Sequence, residues 1–161
     1  MLKNTLNSIS PLDGRYASKL NDLEQYFSEF ALIKNRVLVE INWLIFMSRT
    51  KSLSFIPALS KSKENSLLKV IDNFSIKDAE QIKKIEAKTN HDVKAVEIFI
   101  GKKLESLNLN KYKEFVHLFC TSEDINNLSY SLMLKGYLDS EFKKTNSTLL
   151  KDLKSKSKKW S

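Results

Sequence analysis

Three glycines, two prolines, one cysteine and two histidines are all that 161 residues hold of these types, and each scarcity excludes something. The lone Cys120 has no partner for an intrachain disulfide, which points to a reducing compartment. No sequence context supports Cys120 as a papain-like or redox nucleophile, so it reads as a small buried hydrophobe. Two scattered histidines and one cysteine are too few for a zinc site, and no metal is expected. Long apolar runs are missing as well. The longest, Trp43 to Met47, falls far short of the roughly 20 residues that span a bilayer. The opening Met1 to Asn7 lacks the continuous apolar core of a secretory signal. A soluble cytoplasmic protein with no membrane partner is the expectation.

What is present is a chain that is 42% hydrophobic, enough for the core of one ordinary domain, with a net charge of +8. The lysines are spread along its whole length. They do not concentrate in one arm and no reader motif accompanies them, so nucleic acid is not an expected partner, although a basic helical binding module stays open as an alternative.

Glycine and proline fall nearly always where a helix would begin or end, so the fold class reads as all-α. After a turn at Pro11 to Gly14, Leu20, Leu23, Phe27, Phe30, Ala31, Leu38, Ile41, Trp43 and Leu44 give a helical stripe, predicting one long helix to about residue 49. Residues 54–60, with Pro57, form a break. Leu67, Leu68 and Ile71 mark a shorter helix, and Ser75 with Asp78 has the capping-box spacing that opens another, running to about Ala87. Asp92 is placed to cap the next helix, whose stripe is Val93, Val96, Ile100, Leu104 and Leu107. A short helix from Lys111 to Phe119 and a long one from Ser122 to Thr145 or beyond should follow, with the lysine- and serine-rich tail Lys151 to Ser161 fraying.

Three polar clusters interrupt this pattern, each at a turn or helix boundary. The first is Ser10-Pro11-Leu12-Asp13-Gly14-Arg15-Tyr16, the second Thr89-Asn90-His91-Asp92-Val93, and the third Thr121-Ser122-Glu123-Asp124-Ile125-Asn126-Asn127. In the third, Thr121 and Asp124 form a capping box ahead of Ile125, Leu128 and Leu132. Two adjacent hydroxyls, unpaired N–H groups and the positive end of a helix dipole together suit a carboxylate or a phosphate. A capping box alone serves stability. Arg15 offers a planar, permanently charged fork and Tyr16 a phenolic donor, matched to phosphate oxygens but equally compatible with a salt bridge and with packing. His91 can donate or accept near neutral pH and taken alone reads as a structural histidine, with Asn90 adding an amide and Asp92 placed to cap a helix and to fix the imidazole tautomer. His117, on the apolar-flanked segment Phe115 to Phe119, reads as a partly buried packing residue or a site residue.

In this order, SPLDGRY, the stretch Thr89 to Glu97 and the stretch Glu114 to Ser129 resemble the amino-terminal part of the fumarase/aspartase superfamily, and within it the bacterial enzymes that cleave adenylosuccinate. Argininosuccinate lyase and fumarase are the nearest rivals, from whose patterns Thr121 to Asn127 departs. The resemblance implies a single helical amino-terminal lyase domain over residues 1–161, ending in the start of a long helix, with a central bundle and a carboxy-terminal domain to follow. It implies a cofactor-free β-elimination releasing fumarate from adenylosuccinate and from the succinylated carboxamide ribotide of purine synthesis, in a homotetramer whose active sites draw on three subunits. Arg15 and Tyr16 match its nucleotide-phosphate residues, Asn90, His91 and Asp92 its substrate-site lining, and Thr121 and Ser122 its grip on the succinyl part. It places His91 in substrate orientation and electrostatic support, and His117 near the active site. The general acid, a histidine in a Thr-His-Gly-Gln motif, and the base, a serine on a Gly-Ser-Ser loop, match nothing here, and Ser161 falls just before the first of them. The chain is therefore expected to be an amino-terminal fragment, inactive alone.

Overall fold

A computed structural model describes residues 7–160; Met1 to Leu6, which carry most of the opening stretch read for a signal, and Ser161 lie outside them. All regular structure among the described residues is helical, so the all-α reading holds. The chain divides into two compact units.

The larger unit, Glu29–Ser131, holds the main core. Helix α2 (Glu29–Arg49) supplies Ile33, Val37, Ile41, Leu44 and Met47, all buried at helical spacing. Against it pack Leu67 and Ile71 of α3 (Lys61–Asp72), Ala79 and Ile82 of α4 (Ile76–Thr89), and Val96, Phe99, Ile100 and Leu104 of α5 (Asp92–Ser106). Phe74 fills the joint, 5.7 Å from Phe30 and edge-on to Phe99. Fully buried Tyr112 keeps its hydroxyl satisfied by donating to the Ala58 carbonyl at 3.1 Å. Ser75 and Asp78 form the expected capping box at the start of α4.

The smaller unit joins the described residues up to Ser28 to those from Leu132 onward, the division falling inside α6 (Ser122–Tyr137). Here α1 (Asn21–Phe27) sets Tyr26 and Phe27 against Tyr137 in edge-on ring contacts, and the Tyr26 and Ser140 hydroxyls lie 2.7 Å apart. A π-helical turn, Leu138–Phe142, leads into α7 (Lys143–Trp160).

Several sequence expectations are corrected. The first long helix is two, because Ser28 turns extended (φ −77°, ψ 163°) between α1 and α2, an arrangement open to a residue that favours helix caps. Lys111 to Phe119 is a 3₁₀ segment, Asn110–Phe115, followed by a turn in which His117 (φ 63°) and Phe119 (φ 64°) are left-handed. Gly101 lies inside α5 and marks no boundary, whereas Gly136 stands one residue before the end of α6. The tail is helical to Trp160, with no glycine or proline to stop it and Lys158 and Lys159 complementing the dipole of its last turn. No helix among the described residues is long and apolar enough to cross a membrane.

Candidate functional site

α4 ends at Thr89, after which Asn90 takes the left-handed conformation (φ 53°) that asparagine tolerates better than most residues. This reversal throws His91 into an extended conformation at the head of α5. His91 is the cap, correcting the expectation for Asp92: its Nδ1 accepts the Lys94 N–H at 3.1 Å. That bond also decides the tautomer. With Nδ1 accepting, the ring proton sits on Nε2, and Asp92 Oδ1, 3.7 Å from Nδ1, lies outside hydrogen-bonding range.

Asp92 is engaged elsewhere. Its Oδ1 accepts the Val93 N–H at 2.8 Å and its Oδ2 accepts from Arg36 Nη2 at 2.6 Å. Partial burial pushes its pKa up, but the Val93 N–H and the Arg36 charge outweigh this and hold it below the usual carboxylate range.

At the head of α6 the capping box forms as read. Asp124 Oδ2 accepts the Thr121 N–H at 2.7 Å and the Thr121 hydroxyl at 2.9 Å. These two bonds, the backbone one foremost, hold Asp124 below its ordinary pKa. The neighbouring Ser122 hydroxyl, partly buried, makes no hydrogen bond among the described residues. Of the pair, Ser122 therefore has its donor available, whereas Thr121 must exchange an internal bond to offer its own.

One side chain joins the two helix starts. Arg36, 4% exposed, donates through Nε to Asn126 Oδ1 at 2.9 Å as well as through Nη2 to Asp92. Val39, one turn along α2, packs with Val93 and Ile125, so an apolar contact backs the polar one at the same junction. Sequence reading missed Arg36, Glu40 and Asn126. The signal was there: Arg36 and Glu40 stand four residues apart among the buried positions Ile33, Val37, Ile41 and Leu44, where a charge requires a partner.

The Thr89 and Thr121 clusters are thus brought together within the larger unit. Arg15 and Tyr16 belong to the smaller one, at a turn where the Ser10 N–H donates to Asp13 Oδ1 at 3.0 Å and the Tyr16 N–H to the Pro11 carbonyl at 2.9 Å. The Arg15 guanidinium lies 4.7 Å from the Tyr16 ring centre, and both side chains are exposed.

The family described as Lyase matches residues 14–161, which include all three of these polar groups from Gly14 onward. The chain belongs to the lyase family.

Among curated relatives, this lyase-family chain is 48% identical over 140 residues to the adenylosuccinate lyase of Haemophilus influenzae, an alignment covering 86% of the chain and 31% of the relative. It is 46% identical over 136 residues to that of Legionella pneumophila (strain Corby), covering 84% and 30%, and 45% identical over 136 residues to that of Escherichia coli (strain K12), again 84% and 30%. The chain thus spans about 30% of the length of the curated relatives it matches.

The remaining site residues also lie in the matched region. His117 is 16% exposed in its side chain and its Nδ1 is 2.6 Å from Glu40 Oε1. Cys120 is free and only partly buried, packed beside Val39, Val93 and Ile125. Burial, followed by the Glu40 and Asp124 charges, pushes its thiol up, which fits packing and opposes a nucleophile.

Proposed function

We propose that these residues form the substrate-gripping amino-terminal part of an adenylosuccinate lyase, a cofactor-free carbon–nitrogen lyase of purine synthesis. The observation that carries this reading is the junction made by Arg36, which holds the His91 and Thr121 helix starts side by side under one buried guanidinium. Two helix N-termini with polar side chains at each suit a substrate bearing carboxylates. The names of the relatives support the choice of adenylosuccinate over argininosuccinate or malate.

In the proposed reaction a base removes a proton from the carbon beside a carboxylate, the electron pair moves through an aci-carboxylate, the C–N bond breaks, and the nitrogen leaves with a proton from a general acid. Fumarate departs. AMP remains from adenylosuccinate, and the aminoimidazole carboxamide ribotide (AICAR) from its succinylated precursor. Thr121 and Ser122 hold the succinyl carboxylate, where charge develops and positioned donors contribute most. Asn90, His91 and Asp92 line the site, His91 orienting substrate through its Nε2–H. Arg15 and Tyr16 grip the nucleotide phosphate in a cytoplasmic homotetramer whose active sites draw on three subunits. Acid and base come from segments outside these residues. Neither nucleic acid nor membrane is a partner in this reading.

The test is fumarate release from adenylosuccinate, followed by ultraviolet absorbance, for the chain alone and for the chain extended through the segments that follow it in its relatives. Release by the extended protein alone supports the reading. Release by neither removes it, and release by the chain alone refutes the placement of the acid and base.

A further inference from the structure

Glu40 sits in the middle of α2 with its side chain fully buried, and its Oε2 has no hydrogen-bond partner. Its other oxygen, Oε1, is 2.6 Å from His117 Nδ1. A carboxylate in such a place is unfavourable unless something other than packing retains it, since an apolar side chain of similar volume would lose nothing to desolvation. Its partner stands in unusual backbone. His117 and Phe119 are both left-handed although neither is glycine, a conformation that persists only where surrounding structure imposes it. α2 imposes it twice, through Glu40 on the His117 ring and through Trp43 Nε1, which donates to the Leu118 carbonyl at 2.8 Å. The turn so held leads within four residues into Thr121.

We infer that Glu40 is a positioning residue: its carboxylate accepts the Nδ1–H of His117, leaving Nε2 as the ring nitrogen open to a ligand beside the Thr121 helix start. The inference rests on the lyase reading for its role in turnover. A 2.6 Å contact between Oε1 and Nδ1 requires a proton between them, and an imidazole that donates it from Nδ1 keeps Nε2 bare when neutral. Burial pushes Glu40 up and His117 pulls it back down, while Glu97 of α5, itself bonded to Lys94, adds to the upward push. Asp124 at the start of α6 and Cys120 are the other titratable groups facing this couple. The result is a ring opposite in tautomer to His91, which accepts at Nδ1. One of the chain's two histidines then offers a bare Nε2 when neutral, the other an Nε2–H.

The chain has only these two imidazoles, so nitrogen–proton correlation spectra resolve them, and His91→Gln leaves His117 alone. The neutral His117 ring should carry its proton on Nδ1, and Glu40→Gln should populate the Nε2–H form. A wild-type His117 protonated on Nε2, or a tautomer unchanged by Glu40→Gln, overturns the inference, and the first of these needs no variant to fold. In the complete lyase, Glu40→Gln should lower kcat/KM for fumarate release by about tenfold or more, as expected when a carboxylate no longer fixes an imidazole tautomer, with Glu40→Asp recovering part of it. Full activity in Glu40→Gln also overturns it. If the wild-type complete protein releases no fumarate, the lyase reading falls, while the tautomer spectra still decide what Glu40 does to His117.

Discussion

Buried Arg36 donates to Asp92 at 2.6 Å across 56 residues of sequence, so a charge inside α2 fixes where the His91 helix start stands. The pair is asymmetric. The Arg36 side chain is 5% exposed and that of Asp92 44%. Removing the acid strands a buried cation, whereas removing the cation returns a carboxylate to water.

Asp92→Ala should therefore cost more than Arg36→Met. Loss of a hydrogen bond to a charged group typically amounts to about 1.5–3 kcal/mol, the expected penalty for Asp92→Ala, because Arg36 keeps only Asn126 among its side-chain partners. Arg36→Met leaves no charge buried, because the Asp92 side chain is 44% exposed and water can solvate it, so its cost should be smaller. Urea unfolding of the two variants checks the order, and the reverse order contradicts it.

The same bond makes a pH prediction. The Asp92 pKa is lowered in the fold, so its contribution is present above the unfolded value of about 3.9 and fades as pH falls through the folded one. The stability gap between wild type and Asp92→Ala should accordingly be constant from pH 5 to 7 and shrink below about pH 4.

Asp139, in the π-helical turn, accepts from Lys135 and, at 2.6 Å, from Lys143, and these bonds, that of Lys135 first, hold its pKa down to about 2. Its contribution is present above about pH 4 and is lost toward pH 2. Circular dichroism at 222 nm should show helix content falling across that window. Asp139→Asn should lower the content at pH 7 and flatten the fall; identical curves would remove Asp139 from any part in holding α6 and α7 helical.

Arg15→Ala, placed in the complete protein, should weaken nucleoside monophosphate binding by about 1.5–3 kcal/mol, the range for a charged hydrogen bond, with little change in folding because the side chain is exposed. Titration calorimetry reads it directly. Unchanged affinity would leave Arg15 with no role beyond its contact with Tyr16.

The helices and both capping boxes were legible because they depend on residues three and four apart: Ser75 with Asp78, Thr121 with Asp124, and the stripes of α2 and α5. The break at Ser28 was not, since Phe27 and Phe30 continue an apolar spacing across it. Asp92 reads as the cap of α5 because aspartate is the better cap in general, but Arg36, 56 residues away, claims it and His91 caps instead. The turn from Val116 to Cys120 reads as helix from its apolar flanks. It is held otherwise by Glu40 and Trp43, which are 77 and 75 residues distant from the groups they bind. What sequence could not supply was partnership across the fold.

The central claim is that the Thr121 helix start binds substrate and does more than cap. Its twin at Ser75 and Asp78 has the same capping box, with Asp78 also bonded to Lys103, and supplies the control. In the complete protein, Ser75→Ala should cost about 1 kcal/mol of stability and leave turnover intact. Thr121→Ala with Ser122→Ala should cost a comparable amount of stability but lower kcat for fumarate release by about a hundredfold or more, as when a donor to a developing oxyanion is lost. The measurement is kcat for fumarate release from adenylosuccinate in the two variants, corrected for the folded fraction. A hundredfold separation is the predicted result; equal turnover per folded molecule would contradict the account and leave Thr121 a helix cap.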